Sequence, residues 1–481
     1  MAKRYSALGA QTSSLVESAT RIATMDELQG AAAHIWDVAI GMGLKPFPMH
    51  YEIVPSRILY EFGAYGLPGR FSHWTHGKAY HQMKTMYDYG LSKIYELVIN
   101  TNPCYAFLLD TNGFVQNKLI IAHVLGHSDY FANNAYYART SRRMLDTVSI
   151  NANRLRGYEF DHGRDAVERT LDAALAIQEH VDPGATTYKR RPLYNDDGRP
   201  DPPKRDPKPD GAYDDLWQER NPLPIDVAKR PTGEPARDLL CFIAAHAPGL
   251  EDWQRDVVQI IRDEWLWFYP MMQTKIANEG WASYWHVQIM RSLDLTDSEV
   301  IAFADLHAGV LQPHGRRLNP YYLGYQLLCD IERRYSDDGK NPEAGRAKLF
   351  EVREIENDAS LIRNYLTRDL CEKLDLFTYG QKGDEVVVTE TDWESVRDAL
   401  VSDLTTYGRP LIVVDDGDYH GNRELYLRHA WEGRDLDLQY AEHVLEYVFQ
   451  LWGRPVHLET TNGSHTTVLT YNDKDGHRRK T

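Results

Sequence analysis

Hydrophobic residues recur with a helical period through most of residues 1–350. The segments ARTSRRMLDTVSINANRLRGYEFDHG and RDAVERTLDAALAIQEHV alternate apolar and charged positions with a spacing near 3.6 residues, which is typical of amphipathic helices. Residues 1–45 also show a helical pattern, with Ser13, Ser14 and Thr24 as plausible N-caps. The pattern resumes between Pro235 and Cys329. The sequence therefore predicts a mainly α-helical body.

The hydrophobic pattern changes to that of β-strands beyond about residue 362. The runs DEVVVTE, PLIVVDDGD, ELYLRHAW and PVHLETT are β-branched and bounded by Gly, Asp and Asn. Such runs predict strands, here near 386–389, 411–414 and 424–428. One helix, LDLQYAEHVLEYVFQLWG, lies among them and is expected to stop at Gly453.

Two domains follow from this change of pattern. We expect an α+β fold in which a mainly α-helical large domain, residues 1–350, precedes a smaller C-terminal α+β domain, residues 362–481. A segment at 183–235 interrupts the first domain and holds 11 of the 23 prolines of the chain, together with dense charge. Such a composition buries too little apolar surface to fold by itself. Residues 46–90, rich in proline, glycine and aromatic residues, are expected to be irregular but packed.

Composition excludes several classes of protein. The 481 residues are 42% hydrophobic and 11% aromatic, which is too apolar for a wholly disordered chain. With 54 basic and 70 acidic residues the net charge is −16, which argues against nucleic-acid partners and anionic membrane surfaces. No segment reaches the roughly 20 apolar residues of a membrane helix. Because the four cysteines form no CxxC pair, we expect reduced thiols and a cytoplasmic protein without an integral membrane segment.

The clearest candidate for chemistry is the segment NKLIIAHVLGHSDYFANN. His123 and His127 are four residues apart, so on a helix they share one face and can hold one metal ion, as the HExxH helix of zinc peptidases does. Gly126 costs a helix about 1 kcal/mol relative to alanine, which suggests that another element packs closely there. Val124 stands where those peptidases carry their glutamate base. The alternative interpretation is a pair of core histidines bonded to carboxylates or carbonyls.

A third ligand is predicted on the segment QTKIANEGWASYWHVQIM. Glu279 and His286 are seven residues apart and share one helical face. A carboxylate on a separate helix is the usual third ligand beside a histidine pair in a zinc site. We therefore predict a site for zinc or another divalent metal, formed by His123, His127 and Glu279. The alternative is a buried ion pair, for example between Glu279 and Lys275 or between Glu279 and a histidine of the other helix.

A hydrolytic metal site also needs a general base, which Val124 cannot be. Glu159, which follows Gly157 near the end of a helical segment, is the first candidate. His286 is the second, although as a fourth ligand it would close the site and make the metal structural. His307 is a weaker candidate. The chain has no GxSxG, no Walker A sequence and no GxGxxG before a helix, so serine hydrolase, P-loop and Rossmann interpretations have no support.

Five strings in the chain carry a resemblance to a known family: YELVINTNPCYAFLLDTN, IAHVLGHSDYFANN, TKIANEGWASYWH, LNPYYLGYQLLCDIE and YVFQLWGRPVHLETT. Together they resemble the SpoVR family, stage V sporulation protein R, from about residue 20 to residue 461. The resemblance implies a bacterial cytoplasmic protein linked to spore cortex formation, or to cell-envelope or stress roles where the bacterium does not sporulate. It implies no settled biochemical activity. Tyr130 departs from the family pattern, where Phe is expected.

Two functional hypotheses from different classes remain open at this point. In the first, a divalent metal held by the three predicted ligands activates a water molecule that hydrolyses an amide bond, in a peptidoglycan precursor or an envelope enzyme. In the second, the protein is a non-catalytic regulator or scaffold that binds envelope-synthesis proteins through its acidic surface and C-terminal domain. Hydrolysis requires an open coordination position and a base, whereas a regulator requires neither.

Overall fold

The computed structural model describes the following residues: 21–89, 96–183, 236–312, 318–382, 385–463 and 465–480. The α-helices among them are α1 Met25–Gly41, α2 Ser56–Tyr65, α3 Trp74–Asp88, α4 Phe114–Asn133, α5 Met144–His162, α6 Arg164–Ala176, α7 Leu239–His246, α8 Asp252–Gln273, α9 Lys275–Ser292, α10 Asp297–Leu311, α11 Pro320–Tyr335, α12 Pro342–Ile355, α13 Asp358–Tyr365, α14 Arg368–Lys373, α15 Trp393–Thr406 and α16 Leu438–Trp452. The β-strands are β1 Met49–Val54, β2 Glu96–Ile99, β3 Cys104–Leu109, β4 Thr378–Lys382, β5 Glu385–Glu390, β6 Ile412–Tyr419, β7 Glu424–His429, β8 Val456–Asn462, β9 His465–Asn472 and β10 Gly476–Lys480.

The predicted fold class is confirmed, because a mainly helical large part precedes a smaller part built on a five-stranded sheet. The proline-rich segment predicted at 183–235 lies outside the described residues from residue 184 onward. Two compact units share the chain, and each is discontinuous: the first is Met1–Asn153 with Pro270–Gly408, and the second is Arg154–Tyr269 with Arg409–Thr481.

This division differs from the ranges 1–350 and 362–481 expected from the sequence. Residues 362–408, which include the β4–β5 hairpin, belong to the first unit, where α15 packs against α13. The helical residues 154–269 belong to the second unit. A change from helical to strand periodicity reports local structure, and it does not specify which core a hairpin or a helix joins.

The centre of the first unit is helix α9, which packs against α4 and α11. Gly280 of α9 meets Gly324 of α11, and a Cβ atom on Gly280 would lie 2.4 Å from the carbonyl carbon of Gly324. Real atoms do not approach that closely, so these two helices can touch only because both positions are glycine. Residues of α4 and α9 therefore lie in the most buried part of this unit.

A three-stranded sheet, in the order β1-β3-β2, packs on this helical core. Strand β1 runs parallel to β3, and β2 runs antiparallel to it. Val98 on β2, with its partner Ala106 on β3, contacts the core, so Glu96, two residues before Val98, lies on the same face of the sheet. The expectation of irregular structure at 46–90 was wrong: strand β1 and helices α2 and α3 occupy most of that range.

The second unit contains the five-stranded sheet, in the order β10-β9-β8-β7-β6. Strands β7 and β8 are parallel and are joined through α16, which packs on β8 and β9. Helix α16 ends at Gly453, whose φ of 77° is readily adopted by glycine, as the sequence predicted. The strands predicted near 386–389, 411–414 and 424–428 correspond to β5, β6 and β7.

Candidate metal centre

Helices α4 and α9 bring three predicted ligands together. His123 and His127 lie on one face of α4, one turn apart, and Glu279 lies on α9. All three side chains are buried, with Glu279 about 8% exposed. The Nε2 atoms of His123 and His127 lie 3.5 Å and 3.3 Å from Oε2 of Glu279. One ligand atom from each of the three residues lies within 4.8 Å of the others. Ligand atoms bound to one zinc ion at 2.0–2.2 Å are about 3–4 Å apart, so this spacing fits one ion.

A hydrogen bond to Asn278 sets the orientation and the tautomer of the His127 ring. Nδ1 of His127 lies 2.9 Å from Oδ1 of Asn278, which is the residue before Glu279 on α9. An amide oxygen can only accept a hydrogen bond, so the proton of the neutral ring is on Nδ1. The lone pair of Nε2 then points toward Glu279, which is the tautomer that a metal ligand needs.

His123 has a comparable arrangement, formed by histidines instead of an amide. Its Nδ1 atom lies 3.0 Å from Nδ1 of His286, and Nε2 of His286 lies 2.9 Å from Nδ1 of His307. One consistent assignment lets His123 donate to His286 and His286 donate to His307, which leaves Nε2 of His123 with its lone pair. Burial lowers the pKa of His123 below its usual value, which favours this neutral form.

His286, predicted as a catalytic base or a fourth ligand, therefore contacts the side of the His123 ring that faces away from Glu279. It is fully buried, and both of its ring nitrogens have histidine partners. In this position His286 orients His123. His307, the weaker candidate, is the half-buried end of the same chain of three rings.

The two carboxylate oxygens of Glu279 have different surroundings. Oε1 accepts a hydrogen bond from Nζ of Lys275 at 2.6 Å. Oε2 is buried and has no hydrogen-bond partner among the described residues. Burial alone would raise the pKa of Glu279, but the charge of Lys275 holds it well below the usual range. An ionised, unpartnered oxygen thus faces two imidazole nitrogens, which is an arrangement that a bound cation would stabilise.

A buried ion pair aligns α4 with α9. Asp129, two residues after His127, accepts hydrogen bonds from Arg353 at 2.9 Å to both oxygens and from Nε1 of Trp281 at 2.9 Å. The backbone N–H of Lys45 also donates to Asp129. Since Trp281 follows Glu279 by two residues on α9, these bonds fix the relative position of the two ligand-bearing helices.

Asp358 fixes the start of α9. Its carboxylate accepts hydrogen bonds from the backbone N–H groups of Ile276 and Ala277 at 2.9 Å and 2.8 Å. These donors would otherwise be unsatisfied in the first turn, because Thr274 makes no side-chain cap. The first turn of α9 is therefore anchored directly before Glu279.

Comparison with known sequences assigns the chain to a family. The profile described as "SpoVR like protein" matches residues 23–409, and that described as "SpoVR-like C-terminal domain" matches residues 410–463. The chain belongs to the SpoVR family. The boundary between the two profiles falls within two residues of the point, Gly408, at which the first structural unit ends.

A curated relative of this SpoVR family member covers nearly the same length. The "Uncharacterized protein YcgB" of Escherichia coli (strain K12) is 28% identical over 477 residues, which span 91% of this chain and 92% of the relative. No solved structure matches the chain. Neither the family descriptions nor the name of this relative specifies a reaction or a ligand.

Glu159, the first candidate for the general base, lies in the second structural unit, on α5. The candidate ligands all lie in the first unit. Helix α5 begins in the first unit and continues into the second, and the role of Glu159 as a base is still a prediction. Among the described residues of this SpoVR protein, no helix is both long and apolar enough to cross a membrane.

Sequence reasoning missed a different carboxylate, Glu96. It lies on the core-facing side of the three-stranded sheet and is only half-buried. Burial and then the negative charge of Glu279 raise the pKa of Glu96 to about 7, while His127 and Lys275 act in the opposite direction. Its short strand gave no periodic signal, and only the pairing of β2 with β3 shows which way the side chain points.

Proposed function

We propose that this SpoVR protein is a metal-dependent hydrolase that holds one divalent ion, zinc by preference, on His123, His127 and Glu279. The observation that carries the proposal is the buried, unpartnered Oε2 of Glu279, which lies 3.3–3.5 Å from the Nε2 atoms of both histidines. Two imidazoles and one carboxylate are the ligand set of many catalytic zinc sites.

The partners behind the ligands support a metal over a simple ion pair. Asn278 and His286 each hold one ring in the orientation and tautomer that direct Nε2 at Glu279. Hydrogen bonds of this kind to the second nitrogen are typical of metal-bound histidines. Lys275 already forms an ion pair with Oε1 of Glu279, but it leaves Oε2 without a partner. An ion pair that included Oε2 would require one of the rings to carry a second proton, which burial of His123 disfavours.

An ion held by these three side chains would leave a coordination position for water and would lower the pKa of that water toward neutrality. Glu96 is the proposed general base, because it is half-buried on the sheet face that packs on the core, and because its carboxyl group interacts electrostatically with Glu279 and His127. A pKa of about 7 suits a base that works near neutral pH.

In the proposed reaction the water oxygen attacks the carbonyl carbon of an amide while Glu96 takes one water proton. The C–N bond then breaks, and Glu96 returns the proton to the nitrogen of the leaving amine. The products are a carboxylic acid, which then releases its remaining proton to solvent, and an amine. By family resemblance, amides of peptidoglycan precursors and of envelope proteins are the first substrates to test.

The test compares hydrolysis and metal content in three variants of the purified protein. His127→Ala should lose both the metal and hydrolysis of stem peptides from peptidoglycan, whereas Glu96→Gln should keep the metal and lose activity by about 10²-fold or more. Glu52→Gln, which changes an exposed side chain on the opposite face of the same sheet, is the matched control and should behave as wild type. The proposal is contradicted if metal-loaded wild type hydrolyses the stem peptides no faster than His127→Ala does.

A further inference from the structure

Lys275 lies where the candidate metal centre meets solvent. Its Nζ atom is 2.6 Å from Oε1 of Glu279, yet 57% of its side chain is exposed, against 8% for Glu279. The ammonium group also lies 5.9 Å from the ring centre of Tyr321, which in turn stacks on His123 with 6.0 Å between centres. Two successive side-chain contacts, Lys275 with Tyr321 and Tyr321 with His123, thus connect an exposed residue with a buried candidate ligand.

The ammonium group of Lys275 has bonding capacity to spare. It carries three N–H donors, and the single Oε1 atom of Glu279 uses one of them. The charges of Glu279, Asp358 and Glu96 raise the pKa of Lys275, so it is a full cation at neutral pH. A donor of this kind at the edge of a buried site is well suited to bind an anion that approaches from solvent.

The local charge permits an anion to bind once the metal is present. A divalent ion and Lys275 would together carry three positive charges. Glu279, Glu96 and Asp358 are the carboxyls that interact with Lys275, and they would balance these charges even if all three were ionised. The metal-loaded site would therefore carry no excess negative charge, although the protein as a whole has a net charge of −16.

We infer that Lys275 binds a carboxylate group of the substrate beside the amide that is hydrolysed, an inference that rests on the proposed metal site. The substrate class is thus an acidic peptide, with either a free C-terminal carboxylate or an acidic side chain next to the scissile bond. The opposing interpretation is that Lys275 only neutralises Glu279.

A matched pair of metal-binding probes separates these roles. Butyrohydroxamate and succinic monohydroxamate share the metal-binding group and nearly the same length, but only the second carries a carboxylate. Their dissociation constants are measured on cobalt-loaded protein by the change in visible absorption, with the metal content of each variant recorded. Wild type should bind the carboxylate probe about tenfold or more tightly than the neutral one, the usual value of a hydrogen bond to a charged group.

The variants test whether Lys275 causes this preference. Lys275→Met should abolish it, and Lys275→Arg should retain most of it. Lys84→Met, which removes another half-exposed lysine paired with a carboxylate four residues on, should leave it unchanged. An equal preference in wild type and Lys275→Met overturns the inference and leaves the metal site intact. If metal-loaded wild type does not bind even butyrohydroxamate, the metal has no open coordination position. That result overturns both the proposed function and this inference.

Discussion

The α-carbon of Ala282 lies 2.7 Å from the position that a Cβ atom on Gly126 would occupy. The backbones of α4 and α9 are therefore in direct contact, one residue before His127 and three residues after Glu279 along their helices. The glycine in the candidate motif is thus explained by packing, as its cost in a helix suggested. The short separation between the histidine pair and Glu279 depends on this contact.

Gly126→Ala should therefore destabilise the protein. The added methyl group forces the two helices apart, and overpacking of this kind typically lowers the free energy of unfolding by about 1–3 kcal/mol. Gly30→Ala is the control, because Gly30 is an exposed helical residue with open space around its Cβ position, and it should be neutral or stabilising by up to about 1 kcal/mol. Urea unfolding of both variants measures the difference, and equal stability would contradict the packing argument.

Asn278→Ala should weaken metal binding without removing a ligand. Loss of its amide oxygen frees Nδ1 of His127, so the ring is no longer held with Nε2 toward Glu279. Substitutions of such partners typically reduce metal affinity about 10–100-fold. Competition with a chelator of known affinity measures the change. Asn364→Ala, which removes an exposed asparagine bonded to Glu356, should leave the affinity unchanged, and the same affinity in both variants would refute the role of Asn278.

His286→Ala distinguishes a partner of His123 from a fourth ligand. Because Nδ1 of His286 contacts the far side of the His123 ring, we expect this variant to retain one ion at saturating zinc, with affinity reduced by about 10–100-fold. Titration with zinc, followed by elemental analysis, gives both quantities. Complete loss of the bound ion at saturation would show that His286 is a ligand and that the site is closed.

The stability of the metal-free protein should depend on pH through Asp358. Burial raises the pKa of this carboxyl from 3.8 to about 7, although three backbone N–H groups and the charge of Lys275 act in the opposite direction. Between these values the folded state holds a proton that the unfolded chain has released. The free energy of unfolding therefore falls as the pH rises from about 4 to about 7, by at most about 1.4 kcal/mol per pH unit from this group.

Asp358→Asn removes that titration and retains an oxygen that can accept from the start of α9. The variant should lose less stability than wild type between pH 5 and pH 7, as measured by urea midpoints on metal-free protein. An identical pH dependence in wild type and Asp358→Asn would show that Asp358 is ionised throughout this range.

Much of the candidate site followed from the sequence because it depends on helical spacing. His123 and His127 are four residues apart, so they share a face of any helix that contains both. Glu279 is 152 residues beyond His127, and it was predicted as a ligand from the chemistry of three-ligand sites and not from local spacing. The convergence of these residues in the structure is independent of that local pattern. Their assignment as metal ligands is still a prediction.

The remaining parts depend on tertiary structure, which periodicity does not report. Glu159 lies on a helix that continues from the first unit into the second. Helical periodicity does not show to which unit each residue of such a helix belongs. Glu96 became a candidate base only because the pairing of β2 with β3 places it on the core-facing side of the sheet, and because the charge of Glu279 helps to raise its pKa. Asn278 stands beside Glu279 in sequence, and a search for polar neighbours of the predicted ligand would have found it.

The metal content of the purified protein tests the central claim most directly. Elemental analysis after purification in zinc-supplemented buffer and removal of loosely bound metal should give about one divalent ion per chain for wild type. His50→Ala, which removes an exposed histidine beside Glu52, should give the same value, and His127→Ala and Glu279→Gln should give close to none. A wild type without a bound ion, or a His127→Ala variant that retains as much metal as wild type, would contradict the proposed metal centre.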